Sequence, residues 1–200
     1  MTDTGGHYLE GSTDITRTVA LGEVGNIEKE HFTLVARAML RLANTVFLYG
    51  CSGANLDCIA REVFWKEGLN FNHGTGHGVG YLLNIHEGPI NFRWKEGERP
   101  APALEENMVI TDEPGIYIEG SHGIRLENEL LVRKTVKNEY GQFMNFEILT
   151  YVPIDLDAIL PEKMSTEEKE MLNHYHKQVY EKVSPYLSEE ERIWLKEYTR

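Results

Sequence analysis

The chain has 200 residues, and its 20 basic and 32 acidic side chains give a net charge of −12 at pH 7 with neutral histidines. This acidic balance argues against nucleic acid as a partner, because nucleic acids bind basic surfaces. Hydrophobic residues make up 41% of the chain and charged residues 26%. These values are typical of globular proteins, and no apolar run reaches the roughly 18 residues that a membrane span needs.

The two cysteines, Cys51 and Cys58, form an isolated pair that fits neither a disulfide framework nor a zinc knuckle. Free thiols in a reducing compartment are the better interpretation. The first eleven residues are polar and glycine-rich and do not resemble a signal peptide. We therefore expect a cytoplasmic protein.

The first third of the chain predicts a hairpin followed by two helices. Residues 3–20 contain β-branched residues around two turn signals, which is typical of paired strands. Apolar residues at helical spacing predict an amphipathic helix over residues 26–47, with Asn26 as its N-cap. A second helix is predicted over residues 55–66, with Gly68 ending it.

The rest of the chain predicts a sheet and then a helical tail. A glycine-rich stretch leads to a loop through Pro100 and Pro102. Strands are then predicted at residues 108–110, 123–132 and 143–151. Beyond Pro161 the composition shifts, and Ser165 and Ser188 each open a helix. We expect the tail to pack residues including Leu172, Tyr175, Val179 and Trp194 against the sheet or a second subunit.

Two hairpin-like segments each contain a pair of acids, Asp3 with Asp14 and Glu113 with Glu127. Glu113 and Glu127 are equidistant from Gly120, and such residues lie opposite each other on one face, about 5 Å apart. Any one of these acids alone would more simply be a solvated strand residue or a turn cap. Buried together they repel each other unless a cation lies between them, and carboxylates with an imidazole suit a pair of manganese-like ions.

The histidines lie between the two acid pairs. His73, His77 and His86 fall within fourteen residues, among glycines 74, 76, 78 and 80 that allow close approach of the backbone to a ligand. The spacing matches neither phosphate-binding glycine motif, and no lysine is near. A lone histidine is usually structural, whereas three of them beside two acid pairs indicate a site.

Three blocks carry these residues: DTGGHY with GSTDITRT at residues 3–18, HGTGHGVG with NIHEGP at residues 73–89, and TDEPGIY with GIRLEN at residues 111–128. Together and in this order they resemble the metal-site blocks of aminopeptidase P, the Xaa-Pro aminopeptidase branch of the creatinase/methionine aminopeptidase or pita-bread family. The resemblance covers about residues 2–150. It implies an α+β pita-bread fold, in which a curved antiparallel sheet is covered by helices 26–47 and 55–66.

The resemblance also implies five metal ligands on the concave face of the sheet. In it, Asp3 binds one ion, His77 and Glu113 bind the other, and Asp14 and Glu127 bridge both. Two divalent ions are expected, manganese first, with zinc and cobalt as alternatives.

The remaining roles follow from the same resemblance. Glu113 also accepts a proton from the attacking water. His73 and His86 bind the peptide, and His86 stabilises the tetrahedral intermediate or shuttles a proton. Arg125 matches an arginine that supports the ligands and the substrate, with a plain salt bridge as the alternative interpretation.

The predicted activity is release of an N-terminal residue that precedes proline. Prolidase and methionine aminopeptidase share the metal chemistry and are the alternative enzymes, and a non-catalytic pita-bread binding module is the alternative outside enzymes. Retention of all five ligands favours an enzyme. The residues of the motifs HGTGHGVG and NIHEGP favour aminopeptidase P, although Ile85 stands where the family motif has a valine. The expected partners are a peptide with an Xaa-Pro N-terminus and, in the full-length protein, a second subunit of a homodimer.

The position of Asp3 has a further implication. Family members place at least one domain and the opening half of the pita-bread domain before this ligand. We therefore expect a C-terminal catalytic fragment, with residues 1–160 in the catalytic domain and residues 161–200 in a helical extension. Because a ligand near a free terminus is poorly held, the chain alone is expected to bind metal weakly, to associate with itself and to show little or no peptidase activity.

Overall fold

The computed structural model describes residues 1–95 and 101–200. The strands in these residues are β1 Thr2–Tyr8, β2 Gly11–Arg17, β3 Phe47–Leu48, β4 Gly76–His77, β5 Asn91–Phe92, β6 Val109–Asp112, β7 Gly115–Tyr117, β8 Gly123–Arg125, β9 Asn128–Asn138 and β10 Gly141–Ile148. The α-helices are α1 Asn26–Ala43, α2 Gly53–Trp65, α3 Thr166–Val183 and α4 Glu189–Tyr198. In the predicted loop through Pro100 and Pro102, Pro100 lies outside the described residues. No helix within them has the length and apolar character that a bilayer crossing requires.

The strands of the described residues pair antiparallel. The largest sheet has the order β3-β10-β9-β6, and the pairs β1-β2, β4-β5 and β7-β8 are two-stranded. An isolated bridge between Gly78 and Ile110 joins the segment after β4 to the main sheet. This arrangement brings the three blocks of the sequence to one region of the molecule, and it agrees with the α+β prediction.

Helix α1 is shorter than predicted at its C-terminal end. It ends at Ala43, and the side chains of Asn44 and Thr45 bind the carbonyls of Leu40 and Arg41, at 2.8 and 2.9 Å. Such side chains compete with the helical hydrogen-bond pattern, so the prediction of a helix to residue 47 was wrong. The N-cap is Gly25 and not Asn26.

Other predicted boundaries also differ, and the strand predicted at residues 108–110 is β6 Val109–Asp112. Helix α2 begins two residues earlier, because Ser52 and Asn55 form a capping box. The predicted strand 123–132 is divided into β8 and β9, since the backbone at Glu127 leaves the ladder and donates to the Thr16 carbonyl at 3.0 Å. The last predicted strand, 143–151, begins and ends earlier as β10.

The C-terminal helices pack against the core through one face of α3. Leu172, Tyr175 and Val179 are buried, as the apolar spacing predicted. His176 is buried on the same helix. Trp194 was expected in the same contact but is 55% exposed, and its neighbour Leu195 is buried instead. Helix α4 therefore presents a different face to the core from the one we predicted.

His176 makes the packing of α3 sensitive to pH. Its Nε2 accepts a hydrogen bond from the Ile154 amide at 3.0 Å, so the imidazole is neutral. Burial, together with the positive charge of Arg17, lowers the pKa of His176 from 6.5 to about 4. Acidification must therefore protonate the unfolded chain before the folded one, and this stabilises the unfolded state.

We expect the contribution of His176 to the free energy of unfolding to fall as the pH drops below about 6.5 and to level off at a loss of about 3 kcal/mol below pH 4. Urea unfolding between pH 4 and 7.5 measures it. His176→Gln should remove this component, because a glutamine oxygen still accepts a hydrogen bond. The matched control His174→Gln, on the exposed face of α3, should keep the pH dependence. Equal slopes for the two variants would contradict the assignment.

Candidate metal centre

The hairpin β1–β2 supplies two carboxylates. Its register pairs Asp3 with Thr16 and Asp14 with Gly5, so the two acids are diagonal neighbours on one face and not directly opposite each other. Gly5 allows the close pairing, because a Cβ there would lie 2.6 Å from the Thr13 carbonyl oxygen. Asp14 is buried, whereas Asp3 is exposed.

The hairpin β7–β8 brings together the other two carboxylates. Gly115 pairs with Arg125 and Tyr117 with Gly123, which centres the register on Gly120. Gly120 has φ +71°, a value that favours glycine. Glu113 and Glu127 lie just outside the paired residues at equal distances from this centre, as the sequence predicted.

Strand β4 places His77 between the two hairpins. The backbone amide of His77 donates to Thr111 Oγ1 at 3.0 Å. Gly76 makes this approach of β4 to β6 feasible, because a Cβ there would lie 1.8 Å from the Thr111 carbonyl oxygen. His77 Nε2 lies 3.5 Å from Asp14 Oδ2 and 3.4 Å from Glu113 Oε1. The imidazole is therefore adjacent to one acid from each hairpin.

The donor atoms of these residues form overlapping triads. Within each triad the candidate ligand atoms lie within 4.8 Å of one another. The triads are Asp3 with Asp14 and Glu127, His77 with Glu113 and Glu127, and Asp14 with His77 and His86. All five predicted ligands thus belong to one cluster, and Glu127 belongs to both triads that contain the other four. A cluster of this form can hold two cations that share carboxylate ligands.

The carboxylates of this cluster are electrostatically crowded. Burial, and then the charges of Glu113 and Asp14, raise the pKa of Glu127 to about 8. Burial also raises the pKa of Glu113. For His77, burial alone would lower the pKa, but hydrogen bonds to Asp14 and to the Gly78 carbonyl and the charge of Glu113 raise it overall. Cations would relieve this repulsion, and the oxygen-rich donor set with one nitrogen fits divalent ions.

The other two predicted histidines lie at different depths. His86 is exposed, and its ring centroid is 4.0 Å from that of His77. The His73 ring contacts the rings of Phe71 and Tyr117, with centroid distances of 5.0 and 5.4 Å. Burial is the main reason that the pKa of His73 is lowered. His86 therefore borders the cluster from the solvent side, whereas His73 lies beside Tyr117, whose hydroxyl accepts a hydrogen bond from Arg125.

Arg125 connects the two hairpins. Its Nη2 contacts Asp3 Oδ2 at 2.5 Å, and its Nε donates to Thr16 Oγ1 at 3.0 Å and lies 3.8 Å from Glu113 Oε2. Its Nη1 donates to the Tyr117 hydroxyl at 3.0 Å. These contacts place Arg125 beside two candidate ligands, where it can orient Asp3.

Three residues that support the cluster were missed in the sequence. Thr16 donates to Glu127 Oε2 at 2.7 Å, and Glu129 Oε1 accepts a hydrogen bond from the Asp14 amide at 3.0 Å. Arg17 donates to the Glu127 carbonyl at 2.5 Å. The period of two along a strand could have found Thr16 and Glu129, because each lies two residues from a predicted ligand. Arg17 carries no comparable signal.

Comparison with protein families gives two matches. The sequence model of metallopeptidase family M24 matches residues 1–134, and that of the C-terminal region of peptidase M24 matches residues 142–200. Among curated relatives, the probable Xaa-Pro aminopeptidase P of Paracoccidioides brasiliensis strain Pb03 is 41% identical over 203 residues. The match covers 99% of this chain and 33% of that relative, so the chain spans about a third of its length.

Solved structures show the same relationship. The crystal structure of X-prolyl aminopeptidase from Caenorhabditis elegans, described as a cytosolic enzyme with a di-nuclear active site, superposes with a TM-score of 0.92 at 37% identity. The superposition covers 99% of this chain and 32% of the C. elegans chain. The prolidase from Pyrococcus horikoshii OT3 superposes with a TM-score of 0.62 at 33% identity, over 77% of this chain and 40% of its own.

Proposed function

Because the chain belongs to metallopeptidase family M24, we propose that the protein containing it is a dinuclear metal-dependent aminopeptidase that releases an N-terminal residue preceding proline. The observation that carries the proposal is the clustering of four carboxylates and one imidazole in triads that share Glu127. The Xaa-Pro specificity is supported by the names of the relatives that match nearly the whole chain.

The triads support the proposed assignment of the metal ligands. Asp3, Asp14 and Glu127 would hold one cation, and His77, Glu113 and Glu127 the other, with Asp14 as a second bridging carboxylate because it also contacts His77. We propose manganese as the metal, with zinc and cobalt as alternatives. The cations would supply Lewis-acid polarisation of the scissile carbonyl and of the attacking water.

The other roles are assigned to side chains around the cluster. Glu113 is assigned the role of a proton acceptor as well as a ligand, because its carboxylate lies beside His77 in the cluster, where the attacking water would be held. His86, exposed beside His77, contacts the peptide and moves a proton or stabilises the intermediate. His73 supports peptide binding from the protein side. Arg125 orients Asp3 and contributes to substrate binding.

The proposal also covers the partner, the assembly, the location and the domain division of the full-length protein. The partner is a peptide with an Xaa-Pro N-terminus, and the assembly is a homodimer. A cytosolic location is proposed because the similar enzyme from C. elegans is described as cytosolic. Residues 1–160 are assigned to the catalytic domain and residues 161–200 to a helical extension of it.

A peptidase assay of the full-length protein tests this function. We expect it to release the first residue of an Xaa-Pro-Xaa tripeptide, to lose turnover after chelation with EDTA, and to recover it with added manganese. An Xaa-Pro dipeptide and a Met-Ala peptide serve as comparison substrates. Preference for the dipeptide would indicate a prolidase, and preference for the Met-Ala peptide a methionine aminopeptidase. If none is cleaved while the protein still binds two manganese ions, the non-catalytic interpretation replaces the enzyme.

A further inference from the structure

We propose that Asp57 and Arg61 of α2 form a positioning unit for the metal centre, which acts through the backbone of residues 71–75 and the side chain of Thr75. The proposal rests on the proposed function, because it concerns the placement of His77 and Glu113. Neither member of the pair belongs to the ligand cluster, and the apolar pattern that predicted α2 did not single them out.

The pair is an ion pair in the interior of the protein. Asp57 and Arg61 lie four residues apart on α2, are 0% and 1% exposed, and contact each other at 2.5 Å between Arg61 Nε and Asp57 Oδ2. Transfer of two charges from water to the interior is costly, and apolar residues of similar volume often give equal or greater stability. Stability alone therefore does not account for this pair.

The remaining hydrogen bonds of the guanidinium fix the segment that leads to the histidines. Arg61 Nη1 donates to the Phe71 carbonyl at 2.6 Å, and Nη2 donates to the His73 carbonyl at 2.6 Å. Arg61 also lies over the Phe71 ring, 4.0 Å from its centroid. Two alternate carbonyls of the segment are thus bound by one planar, rigid group.

The carboxylate of the pair binds the next part of the segment. Asp57 Oδ1 accepts a short hydrogen bond from the Thr75 hydroxyl, and Oδ2 accepts one from the Trp94 amide at 2.8 Å. Thr75 is fully buried. Arg61 and Asp57 therefore hold residues 71, 73 and 75 in sequence, immediately before His77.

Thr75 connects this support to both sides of the metal centre. Its carbonyl accepts a hydrogen bond from the Glu113 amide at 2.7 Å, and its own amide donates to the Phe92 carbonyl at 2.8 Å. His77 follows two residues later and uses its Nδ1 to contact the Gly78 carbonyl at 3.0 Å, which leaves Nε2 for the cluster. A displacement of Thr75 would therefore move a nitrogen ligand and a carboxylate ligand together.

The substitution Thr75→Val tests the proposal, because valine has nearly the shape of threonine but cannot donate to Asp57. In the full-length protein we expect a loss of about 10- to 100-fold in manganese affinity or in kcat, as is usual when a group that supports a metal ligand is removed. KM for an Xaa-Pro-Xaa tripeptide should change much less. Thr75→Ser keeps the hydroxyl and should restore most of the loss.

Thr33→Val is the matched control. Thr33 is a buried threonine of α1 whose hydroxyl donates to the Lys29 carbonyl at 2.8 Å and accepts from the Leu160 amide at 2.9 Å. Its substitution should lower thermal stability without changing manganese affinity or kcat. Equal losses of manganese affinity and kcat in the two valine variants, or no loss in Thr75→Val, would overturn the positioning role.

A second measurement separates this proposal from the proposed function. Hydrogen exchange of the backbone amides should become faster over residues 71–77 in Thr75→Val but not in Thr33→Val, whether or not the protein cleaves any peptide. Unchanged exchange over residues 71–77 would reject the positioning unit. Absence of peptide cleavage by the unsubstituted protein would instead reject the proposed function.

Discussion

Replacement of Glu113 by glutamine in the full-length protein is expected to lower kcat on an Xaa-Pro-Xaa tripeptide by about 10²- to 10⁴-fold, the range for loss of a general base. Glutamine has the same shape but can neither accept the proton nor ligate as an anion. The Thr111 hydroxyl, 3.2 Å from Glu113 Oε1, can still bind the amide oxygen. The fold should therefore persist, and kcat with circular dichroism measures both effects.

Two other substitutions give this result its meaning. Glu119→Gln, in the exposed turn of the same hairpin, is the matched control and should leave kcat unchanged. His86→Ala should lower kcat while two metal ions remain bound, because His86 is exposed and lies outside the two triads built around Glu127. Metal analysis showing that His86→Ala loses both ions would mean that His86 is itself a ligand.

The family and the fold could be predicted from the sequence because short blocks carry them. The pita-bread fold expected from the three blocks is confirmed by the structural match to the C. elegans aminopeptidase. The symmetry of Glu113 and Glu127 about Gly120 could be counted in the sequence, and the register of β7–β8 agrees with it. Local turn chemistry was sufficient there, since a hairpin register is set by its turn.

The diagonal placement of Asp3 and Asp14 could not be counted in the same way. The paired residue numbers of β1 and β2 sum to 19, whereas Asp3 and Asp14 sum to 17. The two acids would therefore be opposite only if the turn were centred one residue earlier than Leu9 and Glu10, where it lies. The support from Asp57 and Arg61 was also missed. Their spacing indicates an ion pair on a helix, but only the tertiary structure shows that the pair is buried against residues 71–75.

Arg17 is the clearest case of information that appears only in three dimensions. It is 5% exposed and donates to six acceptors, five of which come from distant parts of the chain. They are the carbonyls of Thr16, Glu127, Val152 and Pro153, the Asn128 side chain and the Tyr175 hydroxyl. Through these bonds Arg17 connects the backbone of the candidate ligand Glu127 to Tyr175 of helix α3. The sequence had indicated α3 only as part of a helical extension.

We therefore expect Arg17→Met to lower the free energy of unfolding by about 4 kcal/mol, because several buried acceptors lose their donor at once and each costs on the order of 1–3 kcal/mol. Urea unfolding measures the loss. Arg17→Lys should recover only a small part of it, since a single ammonium group cannot reach acceptors on Glu127 and Tyr175 together. Arg133→Met is the matched control: Arg133 pairs with Glu147 at 2.7 Å, but both side chains are exposed, and a surface pair contributes about 0–1 kcal/mol. A similar small loss for Arg17→Met and Arg133→Met would show that the buried network does not hold α3 to the metal centre.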